Sequence, residues 1–359
     1  MDEFLRSKLE ARKQEESFRQ LVLSTGSIDF FSNDYLGLAR DSTAELIHSA
    51  GSTGSRLLSG NSILATDAER AISKYFESES ALIFNSGYNA NLGIMSSLPQ
   101  RGDFILYDEL VHASIRDGIR LSHAKAISFK HNDTEDLKKK IEKIFGTIYI
   151  IVESLYSMDG DMAPLKKINE ISKSKGAFMI VDEAHAVGVF GWEGRGIVHG
   201  REITQDIFAR IVTFGKAFGY HGAAVLGSSE LISYLVNFAR PFIYTTALPP
   251  SDYQIIKHRI ERTDLRARQI TLQDNLKYFC ANLKLKTISE INSPIQVFQF
   301  SSKDAVINMS KQLIEKGIFT KPIFSPTVPK GKERVRLCFH SFNTTYEIDK
   351  LLEVLNSAH

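Results

Sequence analysis

Ile207-Phe208-Ala209-Arg210-Ile211-Val212 runs directly into Thr213-Phe214-Gly215-Lys216-Ala217-Phe218-Gly219, and upstream of it Ala177-Phe178-Met179-Ile180-Val181 runs into Asp182-Glu183-Ala184-His185. Each is a short apolar run closed by polar residues, which reads as a buried strand. The pattern repeats outward from this pair. Ala81–Phe84, Phe104–Tyr107, Ala126–Phe129, Ile148–Val152 and Ala223–Leu226 are further strand candidates, and Thr66–Phe76, Thr134–Ile144 and Leu165–Lys175 carry helical spacing between them. Buried-type strands alternating with helices predict an α/β fold with a mostly parallel sheet wrapped by helices. In such sheets ligands gather at the carboxyl ends of the strands, so the polar residues after each run are site candidates by position.

The flanks differ in texture. Residues 2–21 set Phe4, Leu5, Leu9, Phe18 and Leu21 among charges, which predicts an amphipathic N-terminal arm within residues 1–45. The large α/β domain is expected over 46–250, with Pro249-Pro250 as its boundary. Residues 251–359 are expected to hold a linking helix from Asp252 to Leu285 and a smaller α+β unit. That unit comprises strand Ile295–Phe300, helix Lys303–Lys316, extended pieces Ile318–Ile323 and Arg334–Phe339, and a last helix after Thr344.

The bulk numbers narrow the class. At 359 residues the chain exceeds a single typical core. It is 43% hydrophobic and 24% charged, with 44 basic against 42 acidic residues, a net charge of +2. That balance gives no electrostatic footprint for nucleic acid or an anionic membrane. The two cysteines, Cys280 and Cys338, lack metal-ligand spacing and predict a reducing compartment without disulfides. Met1 to Glu16 has no apolar core of a secretion signal, and no apolar run is long enough to span a bilayer, so a cytoplasmic location is expected.

Chemistry concentrates at the strand ends. Glycines on both sides of Lys216 let a bulky ligand approach the backbone. A lysine that sheds its charge on desolvation suits Schiff-base chemistry. Asp182 follows an apolar strand and is too costly to bury unless a cation meets it. A protonated pyridine nitrogen would do so, which makes pyridoxal 5'-phosphate (PLP) the cofactor this pair fits. His185 is placed to hydrogen-bond that cofactor's phenolic oxygen; alone it reads as a satisfied core histidine. Asn85-Ser86-Gly87-Tyr88-Asn89-Ala90-Asn91 opens a helix after a strand, an anion site in which Gly87 and Tyr88 are placed to grip a phosphate. His112, after strand Phe104–Tyr107, is placed to stack on a flat ring; alone it reads as a helix cap. The glycine–serine stretch Gly51 to Ser62 reads as a loop near a ligand or partner subunit. Asp182 to His185 also spells a nucleotide-driven helicase signature, but the phosphate-cradling loop that reading needs is missing, as are a dinucleotide fingerprint and a zinc-binding H-E-x-x-H.

Taken in order, Ser32-Asn33-Asp34-Tyr35-Leu36-Gly37, Ser157-Met158-Asp159-Gly160-Asp161, Asp182-Glu183-Ala184-His185, Thr213-Phe214-Gly215-Lys216 and Pro326-Thr327-Val328-Pro329 resemble the α-oxoamine synthase family of PLP enzymes, from Glu10 to the final helix. The resemblance implies a fold-type I PLP-dependent transferase that works as a homodimer. It implies that Lys216 holds the cofactor and moves protons, Asp182 pairs with the pyridine nitrogen, His185 with the phenolic oxygen, and His112 stacks on the ring. Gly87, Tyr88, Ser157 and Thr213 would contact the cofactor, Thr246 the phosphate of the other subunit, and Arg19, Asn33 and Thr327 the substrate.

The implied reaction is decarboxylative condensation of an amino acid with an acyl thioester. L-Alanine and a pimeloyl thioester, carried on coenzyme A or on acyl carrier protein, are the expected substrates. Glycine C-acetyltransferase and serine palmitoyltransferase activities are the alternatives within the family, an aminotransferase another on the same fold, and a non-catalytic scaffold the bland one. One position departs from the family. Relatives often carry an arginine three residues before Thr327, and this chain has Phe324. Lys321, Arg334 or Arg336, or else Asn33 with His112, are the candidates to take the amino acid's carboxylate.

Overall fold

The computed structural model describes residues 3–14, 18, 26–47, 51–300, 302–320, 322–325 and 327–357. The chain divides into two compact units, one of residues 33–157 and 161–272, the other of residues 1–32, 158–160 and 273–359.

Chain order runs from β1 (Ile28–Asp29) through β2 (Ser80–Phe84), β3 (Phe104–Asp108), β4 (Lys125–Phe129), β5 (Ile148–Glu153), β6 (Phe178–Asp182), β7 (Ala209–Thr213) and β8 (Ala223–Gly227). The last four strands are β9 (Ile295–Gln299), β10 (Ile318–Phe319), β11 (Pro322–Ile323) and β12 (Arg334–Cys338). The larger unit is built on a seven-stranded sheet in the order β2-β8-β7-β6-β5-β3-β4. β7, β6, β5, β3 and β4 pair in parallel, and β8 runs antiparallel to both β2 and β7. Six strands therefore point one way, and β8 alone is reversed. Every residue of β5 and of β7 is buried, as helices covering both faces require. The core joins β2, β3, β5, β6, β7 and β8 through Leu82, Ile105, Ile151, Ile180, Ile211 and Val225 to the helices Gly87–Ser97 and Ala113–Leu121 through Ile94 and Ile115.

The sequence pattern placed these strands within a residue or two; the run from Ile207 shortens to Ala209–Thr213. The expected helix from Asp252 breaks in two, Pro250–Ile260 and Leu265–Asn282. Asp264 opens the second piece: its carbonyl accepts the Arg268 amide, while its carboxylate takes Arg262 and Arg268. Short polar residues of this kind favour caps over helix interiors. The first piece packs on the helix Ile63–Tyr75 inside the larger unit. The sequence-based division at 250 and the compact division at 272 therefore differ by that helix, the turn after it and the start of Leu265–Asn282.

In the smaller unit β11, β12 and β9 form an antiparallel sheet, and β1 pairs in parallel with β10. The terminal helix Thr345–Asn356 starts at a reciprocal cap between Thr344 and Glu347. The helix Glu3–Gln14 leaves Leu5 and Leu9 exposed.

Candidate active site

Because β2, β3, β5, β6 and β7 point the same way, their carboxyl ends share one edge of the sheet. That edge collects Ser86 to Tyr88 after β2, His112 after β3, Glu153 ending β5, Asp182 ending β6 and Lys216 after β7, with Gly222 leading into the reversed β8. These residues line a cavity of about 290 Å³, together with Asn33, Asn91, Ser114, Ala184, His185, Thr213, Gly215 and His221. All of them belong to the larger unit.

Asp182 is 6% exposed and anchored twice. Its Oδ2 accepts a 2.7 Å bond from Asn91 Nδ2, and its Oδ1 a 2.8 Å bond from the Ala184 amide. Asn91 Nδ2 also reaches Ser114 Oγ at 3.1 Å, and Ser114 Oγ lies 2.7 Å from His112 Nδ1. His112 caps the helix Ala113–Leu121, and the Ser114 amide donates to its Nδ1 at 3.2 Å. With Nδ1 accepting, the ring proton of the neutral imidazole sits on Nε2. Burial pushes the His112 pKa down, Asp182 opposes that and Lys216 reinforces it, so the ring stays neutral at pH 7.

Glu153 is 4% exposed, and its Oε1 accepts a 2.6 Å bond from the His112 amide. It stands opposite Asp182 in the β5–β6 register. Burial first, then the neighbouring Asp182, raise its pKa well above the usual carboxyl range. His185 is buried, with Nδ1 2.8 Å from the Tyr35 hydroxyl, which also reaches Asn33 Oδ1 at 3.2 Å. Thr213 Oγ1 donates to the Ala184 carbonyl at 3.2 Å. Lys216 is half-buried in the cavity wall.

Part of the wall is a helix start. Ser86 caps Gly87–Ser97 by accepting the Asn89 amide, and the amides of Gly87 and Tyr88 make no hydrogen bond among the described residues. A Cβ at Gly87 would come within 2.8 Å of Thr213 Cγ2, so the glycine keeps this wall open. The Tyr88 hydroxyl donates to Asp117 Oδ2 at 2.5 Å, which raises the phenol's pKa and lowers the carboxyl's. A helix N-terminus for an anion, a carboxylate for a ring nitrogen, an amine, and the imidazoles of His112 and His185 form a donor set that fits PLP.

Of the residues singled out from sequence, Lys216, Asp182, His185, His112, Gly87, Tyr88, Thr213 and Asn33 meet at this cavity. Ser157 and Thr246 are not among its lining residues; Thr246 is exposed, and its carbonyl accepts Asn85 Nδ2 at 2.8 Å. Thr327 lies exposed in the smaller unit, its amide on the Phe324 carbonyl. Arg19 and Lys321 lie outside the described residues. Arg334 is engaged within its own unit, donating to the Asp159 carboxylate and to the carbonyls of Met158 and Lys332. Lys303 Nζ lies 5.2 Å from the Phe324 ring centroid. Glu153, Asn91 and Ser114 carry no role in the sequence reading. The only local signal for Glu153 is its place directly after an apolar run, and for Asn91 its place one turn beyond Gly87 on the same helix.

Glu183, next to Asp182, does different work. It is fully buried against Arg210 of β7, with Nη2 2.6 Å and Nε 2.9 Å from its Oε2, and it also accepts the Val198 amide. A second cluster sits at the end of β3. There His131 bridges Asp108 at 2.9 Å and Asp161 at 2.8 Å. Among the described residues no group of acidic, cysteine and histidine side chains is arranged to hold a metal ion, and no helix is long and apolar enough to cross a membrane.

The aminotransferase class I and II family model matches residues 25–355. An 8-amino-7-oxononanoate synthase from Emericella nidulans is 38% identical over an alignment covering 98% of this chain and 94% of the relative. A serine palmitoyltransferase from S. paucimobilis, solved with bound PLP–myriocin, superposes with a TM-score of 0.89 at 26% identity, covering 99% of this chain and 97% of that one. An 8-amino-7-oxononanoate synthase structure from Francisella tularensis superposes with a TM-score of 0.78 at 32% identity, covering 92% and 97%.

Proposed function

Because this chain belongs to the aminotransferase class I and II family, we propose that it is a PLP-dependent acyltransferase that condenses L-alanine with a pimeloyl thioester, releasing 8-amino-7-oxononanoate, carbon dioxide and free thiol for biotin synthesis. The observation that carries the reading is the meeting of the Lys216 amine and the Asp182 carboxylate in one cavity that the helix start at Gly87 and Tyr88 also lines. The 38% identity to an 8-amino-7-oxononanoate synthase supports the choice of substrates over the higher superposition with a serine palmitoyltransferase. Side-chain identity lines a pocket, whereas backbone superposition reports the fold.

When bound, PLP supplies an electron-accepting ring that stabilises negative charge at the amino acid's α-carbon. Lys216 would hold it covalently through Nζ, Asp182 would meet its ring nitrogen, and the Gly87 and Tyr88 amides its phosphate. Asn91 and the Ala184 amide hold the Asp182 carboxylate aimed into the cavity. The chain Asn91–Ser114–His112 fixes the His112 ring and its tautomer, so that its face is presented as a rigid platform. Tyr35 holds His185 for the phenolic oxygen. Lys216 Nζ takes the α-proton of the substrate and returns a proton to the product, a role its place in the cavity wall supports.

The protein is read as a cytoplasmic homodimer in which exposed Thr246 reaches the partner's phosphate site. Arg19, Thr327 and Ser157 are assigned to substrate and cofactor contacts in that assembly. The acyl donor arrives on coenzyme A or on acyl carrier protein. The test is thiol release by purified, PLP-saturated protein with L-alanine and pimeloyl-CoA, run beside glycine with acetyl-CoA and serine with palmitoyl-CoA. The reading expects the alanine–pimeloyl pair to exceed the others by at least tenfold in kcat/KM. Equal or greater turnover with serine and palmitoyl-CoA would overturn the substrate assignment.

A further inference from the structure

Glu153 and Asp182 occupy partnered positions on adjacent parallel strands. Partnered residues project to the same face, and neighbouring strands lie about 4.8 Å apart. Both are at least nine-tenths buried, and both line the same cavity. Two carboxylates this close in a low-dielectric setting cannot both stay ionised without ample positive charge. The lining includes one lysine, Lys216, no arginine, and the imidazoles of His112, His185 and His221; a cationic ring nitrogen held by Asp182 would be matched by that carboxylate and would leave Glu153 without a cation of its own. His112 is neutral, as its hydrogen bonds require, and Asp108 behind the pair is already matched by His131.

We propose that Glu153 and Asp182 carry a single proton between them, that it resides on Glu153, and that Glu153 presents it to the cavity from Oε2. The hydrogen bonds decide the partition. Asp182 accepts from two donors, one on each oxygen, whereas among the described residues Glu153 accepts only from the His112 amide, at Oε1. Oε2 makes no hydrogen bond among the described residues, so it is the atom free to carry a proton. Both oxygens of Asp182 are occupied by N–H donors, so the proton has its place on Glu153 of β5. Burial and the Asp182 charge, which together raise the Glu153 pKa, act in the same direction.

The arrangement gives the cavity a proton donor that no local sequence pattern reveals. An O–H aimed into the site matches a carbonyl or carboxylate oxygen of a bound substrate; that part rests on the function proposed above, whereas the proton's location is a property of the chain alone. It also gives Glu153 a positioning role, since the same side chain holds the backbone of His112.

Infrared spectroscopy of the full-length holoprotein at pH 8 tests the location. A protonated carboxyl C=O band is expected, shifted by 13C-glutamate labelling of the unaltered protein and absent from Glu153→Gln; no glutamate-sensitive band would overturn the proposal. Because labelling needs no substitution, the test stands even if the variant fails to fold. Where Glu153→Gln folds, its melting temperature should gain on the wild type by about 2 °C or more between pH 5 and pH 8. A carboxyl whose pKa is raised in the folded state stabilises at low pH and loses that contribution as pH rises, and glutamine has nothing to lose. Parallel melting curves would count against the proposal. Adding L-alanine should move the protonated-carboxyl band; an unmoved band would overturn the donor role. A band present without any thiol release would leave the proton on Glu153 and remove the proposed reaction instead.

Discussion

At the scale of single residues, the site depends on groups whose surroundings differ from those of their type. Lys216→Ala should abolish thiol release while the protein stays folded, because a half-buried wall residue leaves little packing behind; the check is turnover beside a circular-dichroism melt. Asp182→Asn should lower kcat by roughly 10- to 100-fold, the weight of a charge-assisted hydrogen bond of about 1.5–3 kcal/mol. Its near-neutral geometry should leave the melting temperature within a few degrees of wild type. Asp182, Lys216 and His112 were readable because each follows an apolar run, and an ionisable group there is conspicuous. Glu153 was not. It too follows an apolar run, Ile148 to Val152, but its meaning comes from facing Asp182 across the β5–β6 register, a pairing that no local pattern encodes. Asn91 was hidden in another way: on a helix an asparagine reads as solvated, and only the fold turns it toward a carboxylate.

At the scale of elements, the strands were legible because burial on both faces writes continuous apolar runs into the sequence. The break near Glu261 was not, because no proline or glycine marks it and the cap at Asp264 is made by side chains of the same segment. β7 carries a charge inside such a run. Arg210 is 2% exposed and is satisfied by Glu183, the Phe76 carbonyl and the Arg195 carbonyl. Removing its carboxylate with Glu183→Ala should cost about 3–5 kcal/mol, the penalty of a buried charge without its partner. Replacing both by apolar residues of similar volume should cost much less, and urea unfolding of the two variants distinguishes them. The end of β3 has its own pH signature. Burial works against a charged His131, but hydrogen bonds to Asp108 and Asp161 overcome it and lift its pKa to about 10. Its folded pKa lies above the unfolded value of about 6.5. The stability it confers is therefore complete below that lower value and is lost as pH rises through the upper one. The advantage of wild type over His131→Gln in urea midpoint should accordingly shrink between pH 7 and pH 10.5.

At the scale of the whole chain, the α/β class and the smaller α+β unit followed from texture alone, while the membership of each unit did not. Compact grouping is decided by long-range contact, and residues 158–160 join the smaller unit through bonds such as Ser289 Oγ to the Asp159 carbonyl. The two cysteines test the packing cheaply. Cys338 is fully buried in β12, whereas Cys280 is half-buried with its pKa raised by burial. A thiol reagent at neutral pH should label one cysteine slowly in the native protein and two in urea without reductant; fewer than two in urea would indicate a disulfide. The pairing of β1 with β10 carries a further consequence for how the molecule is made. Translation delivers Ile28 and Asp29 well before Ile318 and Phe319, their partners in β10, with β2 to β9 made in between. At about 5–20 residues per second β1 waits many seconds unpaired, while β2 to β8 are synthesised consecutively and become available to assemble first. Nascent chains stalled before residue 318 should therefore contain a protease-resistant αβ body with β1 unprotected, and β1 should gain protection only once β10 has been released.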